Sequence, residues 1–415
     1  MTRMTGRART AAASVAATIT MSVMVLGAGI TQADAVERVR LAEDVTVAPG
    51  ITYQAFSVTA SHGKVTGHLI TADLSDSHVA VGMLTPGKVS ARTKLSQLVS
   101  AQGAVAGINA DFFNIDETQH PGVAATNSAV GPAIDNGVAL KSAVPNGQRF
   151  GPGLSPGTST RDVIGVDYKN VAHLDSLTLD GSIKGHRDKE LGLDGFNQYA
   201  IPVGGVGAFT SQWGDVSRKR ATCGTDTVRA AACSTDVYEV TVRNNRVVSG
   251  SSTIGAGAID ADSVVLVGRE AGAAELRSLE IGEHIRVSED LDSAGGNRLK
   301  FAVGGNPVLR DGKPIAGLDN KAVATRTGAA FGDGGRLLYL LVLDGTAESG
   351  AGLTVAELAG VFQNVGADNG VNLDGGGSST LVTRDEVTGK PVVRNHPTGG
   401  AERPVPEGIG LFSRA

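Results

Sequence analysis

LLYLLVLDG (residues 337–345), TVAELAGVFQNVG (354–366) and VNLDGGGSST (371–380) decide how this chain folds. The first is almost continuously apolar, the pattern of a strand buried on both faces, and it ends at Asp344. In the second, Thr354 and Glu357 have capping-box spacing, and Val355, Leu358, Ala359, Phe362 and Val365 recur at helical intervals until Gly366. The third is a short strand running from Val371 into Asp374. Strand, helix and strand in this order predict a βαβ crossover. Its two strands would run parallel and deliver Asp344 and Asp374 to one sheet edge, where ligands bind in open α/β sheets.

A fainter copy lies upstream. Thr93 to Ala101 predicts a helix carrying Leu95, Leu98 and Val99, followed by Gly103 and a strand ending Asn109-Ala110-Asp111. Both strand ends read Asn-x-Asp, and residues two apart on a strand face the same way, so each presents an amide beside a carboxylate. In a single copy an Asx-type turn gives the same pattern. From about residue 145 to 305, short alternating runs such as Val163 to Tyr168, Tyr238 to Val242, Val264 to Val267 and His284 to Val287 predict a β-rich middle section. The expected fold class is mixed α/β (α+β): a central mixed sheet with crossover helices and that β-rich middle.

Asp374 runs straight into Gly375, Gly376, Gly377, Ser378 and Ser379. Glycines accept positive φ and let backbone N–H groups turn toward a ligand, so the loop is a candidate cradle for an anion such as phosphate; a tight hairpin turn is the structural alternative.

The first nine residues hold Arg3, Arg7 and Arg9 without an acid, an apolar stretch follows from Thr10 to Ile30, and Ala33-Asp34-Ala35 has small residues at the cleavage positions. This pattern predicts a secretory signal peptide over residues 1–35 and an extracellular mature chain, residues 36–415, read as one domain. Cleavage removes three arginines and one aspartate, taking the formal charge from −5 to −7, which disfavours nucleic acid as a partner. No later segment has the apolar length of a membrane span. Cys223 and Cys233, in an exported chain, are expected to pair and pin a hairpin.

Several motifs fail on inspection. Gly153-Leu154-Ser155-Pro156-Gly157 has the letters of a nucleophile elbow, but Pro156 lacks the N–H that an oxyanion hole needs there. The run Asp290 to Gly295 resembles a calcium loop, yet Ala294 and Phe301 stand where ligands belong. The histidines have no paired metal spacing, and the glycine loop lacks a P-loop ending. Nothing here requires a cofactor, and the carboxylates leave a divalent cation open.

Gly107 to Asn114, Gly304 to Leu309, Arg326-Thr327, Asp344-Gly345, Gly352-Leu353-Thr354 with its helix, Asn372 to Thr380 and Glu402-Arg403-Pro404 occur in an order that resembles the phosphodiester glycosidase family. The resemblance covers most of Ala55 to Phe412, and NADFFN and NLDGGGSS are its most specific strings. It implies hydrolysis of a sugar joined through its anomeric oxygen to phosphate, on a mixed α/β fold. Two positions depart from the family pattern: Ala110, where glycine or aspartate is usual, and Gly350, with a serine one position earlier at Ser349.

The residues point the same way. Cleavage at an anomeric carbon wants carboxylates, and Asp111, Asp344 and Asp374 are the candidates. Asp374 would be nucleophile or base, and Asp111 acid or sugar-hydroxyl ligand. Asn109, Phe112, Arg326, Thr327, Asn372, Gly375, Gly376, Gly377, Ser378, Ser379 and Arg403 are the candidate substrate-binding residues, with the arginines facing phosphate. The expected partner is a phosphorylated carbohydrate or cell-wall glycopolymer. A non-catalytic glycopolymer-binding protein and a phosphodiesterase attacking phosphorus remain as alternatives.

Overall fold

The computed structural model describes residues 36–185, 190–345 and 351–414. The signal-peptide segment and Ser349-Gly350 lie outside these residues.

Strand Leu337–Leu343 alternates as its apolar run requires. Leu338, Leu340 and Val342 enter one core, while Tyr339, Leu341 and Leu343 enter another on the opposite face. The first core is shared with neighbouring sheets through residues such as Ile108, Ile409 and Phe301. The second is closed by helix Val355–Asn364, which buries Val355, Leu358, Val361 and Phe362, each contributing about 1.5–3 kcal/mol of hydrophobic stabilisation. The capping box is complete: Glu357 N–H donates to Thr354 Oγ1 at 3.1 Å, and Thr354 N–H donates to Glu357 Oε2 at 2.8 Å.

Strands Leu337–Leu343 and Asn369–Leu373 run in the same direction and end at the same edge, but they are not neighbours. Strand Thr327–Gly332 lies between them, antiparallel to both, with Thr327 opposite Val342 on one side and Leu373 on the other. Its sequence, TGAAFG, has no β-branched residue after Thr327 and so carries almost no strand signal. The small residues serve packing instead, since a Cβ on Gly328 would lie 2.7 Å from the Phe362 ring. The expected mixed sheet with crossover helices is therefore corrected. The protein is β-rich, with 41% strand and 11% helix, and the long sheets are antiparallel.

In the largest sheet, Ile51–Ala60, Gly63–Asp73, Leu337–Leu343, Thr327–Gly332, Asn369–Leu373 and Asn306–Arg310 follow one another in space. A five-stranded sheet orders Pro391–Val393, Leu381–Arg384, Ala106–Asn109, Gly408–Ser413 and Val79–Leu84. Helix Leu95–Gln102 packs against this sheet and ends at Gly103 with φ 75°.

The middle section is β-rich as expected and builds most of two further sheets, and it includes a short α-helix, Ala271–Arg277, that the sequence reading lacked. Cys223 and Cys233 form a disulfide, which pins a loop whose Gly224 N–H donates to Ala231 O rather than a hairpin of strands. The false elbow is irregular loop, and the false calcium run is mostly strand Arg286–Ser293. Among the described residues no helix is long and apolar enough to cross a membrane.

Candidate active site

The register around Thr327 places Arg326 between the ends of the two flanking strands, and the second sheet brings the upstream Asn-x-Asp copy to the same place. Asp374 N–H donates to Ala110 O at 2.9 Å, and Asn109 Nδ2 donates to Asp374 O at 2.7 Å. Asn109 Oδ1 accepts from Thr380 N–H at 3.0 Å and from Thr327 Oγ1 at 3.2 Å. Asn109 and Thr327 are thus buried struts that lock two sheets together beneath Asp374.

Above them opens a pocket of about 220 Å³. Phe112, Phe113, Ile115 and Phe150 make its apolar wall, while Thr325, Arg326, Asp374, Gly375, Gly376 and Arg403 make the polar one. Burial pushes the Asp374 carboxyl up to about 7, the nearby Asp111 charge adds to that, and the Ser378 hydroxyl, Arg403 and the Gly375 N–H act in the opposite direction. Arg403 Nη1 donates to Ser378 Oγ at 3.3 Å. Its guanidinium lies so close to Gly377 that a Cβ there would be 2.3 Å from Nη2, which explains that glycine. Arg326 is fixed by its own backbone partners, donating from Nε to Leu353 O at 2.8 Å and from Nη2 to Ala322 O at 2.6 Å.

Gly375 and Gly376 of the glycine loop line the pocket, and three of the loop's amides donate to carbonyls. The loop is a short 3₁₀ turn, Gly376–Ser378, in which Gly376 alone of the three glycines takes positive φ. The N–H groups of Gly376, Ser378 and Ser379 donate to Thr325 O, Gly375 O and Gly376 O respectively. Ser378 and Ser379 are fully buried; Ser379 accepts from Thr327 Oγ1 at 3.0 Å. Asn372 is also fully buried, away from the pocket lining. Asn372, Ser378 and Ser379 are not among the residues lining this pocket.

The three candidate carboxylates occupy three settings. Asp374 lines the pocket. Asp111 sits behind it, buried, accepting N–H bonds from Phe112 at 2.8 Å and Gly131 at 2.5 Å. Burial pushes its carboxyl up to about 6 against the pull of Gly131 N–H and Lys141. A Cβ on Gly304 would lie 2.3 Å from Asp111 Oδ2, so the Gly304-Gly305 element exists partly to admit this carboxylate. Asp344 is not among the pocket's lining residues. It accepts from Thr66 Oγ1 at 2.7 Å and from His396 N–H at 2.9 Å, and His68 Nε2 lies 3.0 Å from its Oδ1. Burial raises its pKa, but these partners outweigh it and hold the carboxyl well below the usual range. Asp344 anchors the His396 loop.

Phe113, Ile115, Phe150, Ala324 and Thr325 line the pocket without having been singled out. Phe113 lay inside the quoted NADFFN string, whereas Phe150 comes from a loop with no local signal. Among the described residues no group of three or more His, Cys, Asp or Glu side chains is arranged to hold a metal ion.

Residues 236–412 match the model of the phosphodiester glycosidase family. That span contains Arg326, Asp344, Asp374 and Arg403 but not Asp111. No curated protein sequence matches the chain. Among solved structures, a hypothetical protein from Synechocystis is similar with a TM-score of 0.69 and 19% identity, over 90% of this chain and 64% of that one. The present chain thus spans under two thirds of that protein. A protein from Burkholderia pseudomallei described as exported gives a TM-score of 0.63 and 22% identity, over 84% of this chain and 74% of that one. These two likenesses establish the fold. The catalytic domain of zebrafish N-acetylglucosamine-1-phosphodiester alpha-N-acetylglucosaminidase overlaps 92% of this chain and 89% of its own, with 13% identity and a TM-score of 0.43.

Proposed function

We propose that this protein is an exported phosphodiester glycosidase that hydrolyses the anomeric C–O bond of a sugar-1-phosphodiester, with Asp374 as general base. The observation that carries this reading is Asp374 itself: a carboxyl with a pKa of about 7, set between Arg403 and an aromatic wall at the lip of a small pocket. A base works best with its pKa near the working pH. Phe112, Phe113, Ile115 and Phe150 give the pocket an apolar wall against which one sugar ring can pack. Arg326 and Arg403 offer guanidinium groups for the phosphate, whose departure as a stabilised anion requires little acid assistance. Water attacks the anomeric carbon, its oxygen forming the new C–O bond while one of its protons goes to Asp374, and the electron pair of the broken C–O bond leaves with the phosphate.

A non-catalytic glycopolymer-binding protein is the second reading, with fewer loop amides for an anion because those of Gly376, Ser378 and Ser379 already donate to carbonyls. The test is a panel of sugar-1-phosphodiesters incubated with the protein in ¹⁸O-water. Label in the released sugar is the expected outcome. Label in the phosphate would move the attack to phosphorus, and no hydrolysis of any member would remove the enzymatic reading.

A further inference from the structure

Phe150 lines the substrate pocket, and what holds its ring there comes from elsewhere in the chain. The Arg229 guanidinium lies over that ring, 4.1 Å from its centroid, and the Tyr199 ring meets it edge-on with centroids 6.1 Å apart. Arg229 Nη1 donates to Arg149 O at 2.7 Å and Nε donates to Gln119 Oε1 at 3.3 Å, so one side chain grips both the ring and the backbone next to it. The Phe150 loop in turn presses on Phe112, since a Cβ on Gly151 would lie 2.6 Å from that ring.

Arg229 is the one long side chain among the nine residues between Cys223 and Cys233. The disulfide closes that segment, and a buried network pins it to the pocket side. Arg220, fully buried, donates from Nη1 to Cys223 O at 3.2 Å, from Nη2 to Gln148 Oε1 at 2.9 Å and from Nε to Glu117 Oε1. Gln148, two residues before Phe150, donates from Nε2 to Thr225 O inside the loop. Glu117 also accepts from Asn114 Nδ2 at 2.6 Å. His120 Nδ1 lies 2.5 Å from Glu117 Oε2, and its Nε2 lies 2.8 Å from Ala231 O, again inside the loop. Asn114 ends the NADFFN string that supplies Phe112 and Phe113 to the wall. Every link from the disulfide loop to the pocket wall is a direct contact.

We propose that Arg229 is a positioning residue for the substrate pocket: presented by the disulfide loop, it holds Phe150 in the wall against which the sugar ring packs, and so sets the affinity for substrate. The inference rests on the proposed reaction. Arg229 is not among the residues lining the pocket, unlike Arg326 and Arg403, so it acts through Phe150 and not on the phosphate. A guanidinium over an aromatic face is attracted by the ring's quadrupole, while its planar fork donates to two oxygens at once. Alanine would lose both, and the ring would regain rotamers that point it away from the pocket. A wall that packs the sugar equally in ground and transition states shows its loss in KM and not in kcat.

The experiment uses the full mature chain labelled with para-fluorophenylalanine, the Phe150 resonance being identified by its loss in Phe150→Leu. Fluorine NMR reads the wall without any turnover: that resonance is expected to shift in Arg229→Ala, and also when the folded wild type is treated with a phosphine reductant. Arg229 is half-buried, so its truncation leaves the core intact. With a diester the wild type hydrolyses, Arg229→Ala is expected to raise KM about tenfold with kcat within about twofold. In a Phe150→Ala background the same change is expected to move KM less than about twofold, which a general loosening of the fold would not produce. A Phe150 resonance unmoved by Arg229→Ala or by the reductant, an unaltered KM in Arg229→Ala, or a full effect in the Phe150→Ala background overturns the proposal. If the resonance moves as expected while the wild type hydrolyses no diester, the anchor stands and it is the proposed reaction that fails.

Discussion

Asp374, the proposed general base, costs the fold stability. Burial pushes its carboxyl up to about 7, above the ordinary aspartate value of 3.8. Between those values the folded protein holds a proton that the unfolded chain has released, so ionising the group at higher pH weakens the fold. Asp374→Asn removes that cost. The variant is expected to be more stable than the wild type at pH 8, on the order of 1–3 kcal/mol, while losing several orders of magnitude in turnover. Urea unfolding at pH 8 checks the first part, and a variant less stable than the wild type would contradict it. This carboxylate and its two arginines were legible in the sequence, because charge beside glycine at a strand end has few structural uses. The roles of Ser378 and Ser379 were not, because whether an amide faces a ligand or a carbonyl depends on the turn type, which the letters GGGSS leave open.

At the level of elements, the helix Val355–Asn364 was readable to its caps because its signals are local. Its neighbour Thr327–Gly332 was hidden, because its small residues answer to Phe362, which lies far along the chain. The cap also reaches the site: Leu353, just before Thr354, supplies the carbonyl that fixes Arg326 Nε. Glu357 is shared further, accepting from Ser61 N–H at 2.7 Å. Thr354→Ala is expected to cost about 1 kcal/mol in urea unfolding. Because Arg326 loses part of its support, KM for a diester should rise while the pH profile stays in place. A stability change with unaltered KM would detach the cap from the site.

For the whole molecule, net stability as a function of pH follows from two opposed sets of carboxyls. Asp111, Asp374 and Glu407 are raised by burial, so their contribution falls as pH climbs from about 4 toward 8. In Asp344, Asp175 and Glu357 burial is outweighed by hydrogen bonds, so the stability they contribute is present above about pH 4 and lost below it. Maximum stability is expected near pH 5, and a urea midpoint that climbs steadily from about pH 5 to 8 would contradict this balance. The β-rich middle was legible at this scale from alternation alone. The number of sheets and their neighbours was not, since pairing partners such as Asn109 and Thr380 are 271 positions apart.

The strand Gly408–Ser413 sits between Val79–Leu84 and Ala106–Asn109, filling a gap that the two earlier strands leave open. While the chain is being made, those two strands wait for a partner that emerges more than 290 residues later. Pairings at such separation form slowly. The platform under Asp374 thus waits for the strand Gly408–Ser413, and the proposed site cannot form before that segment has been made.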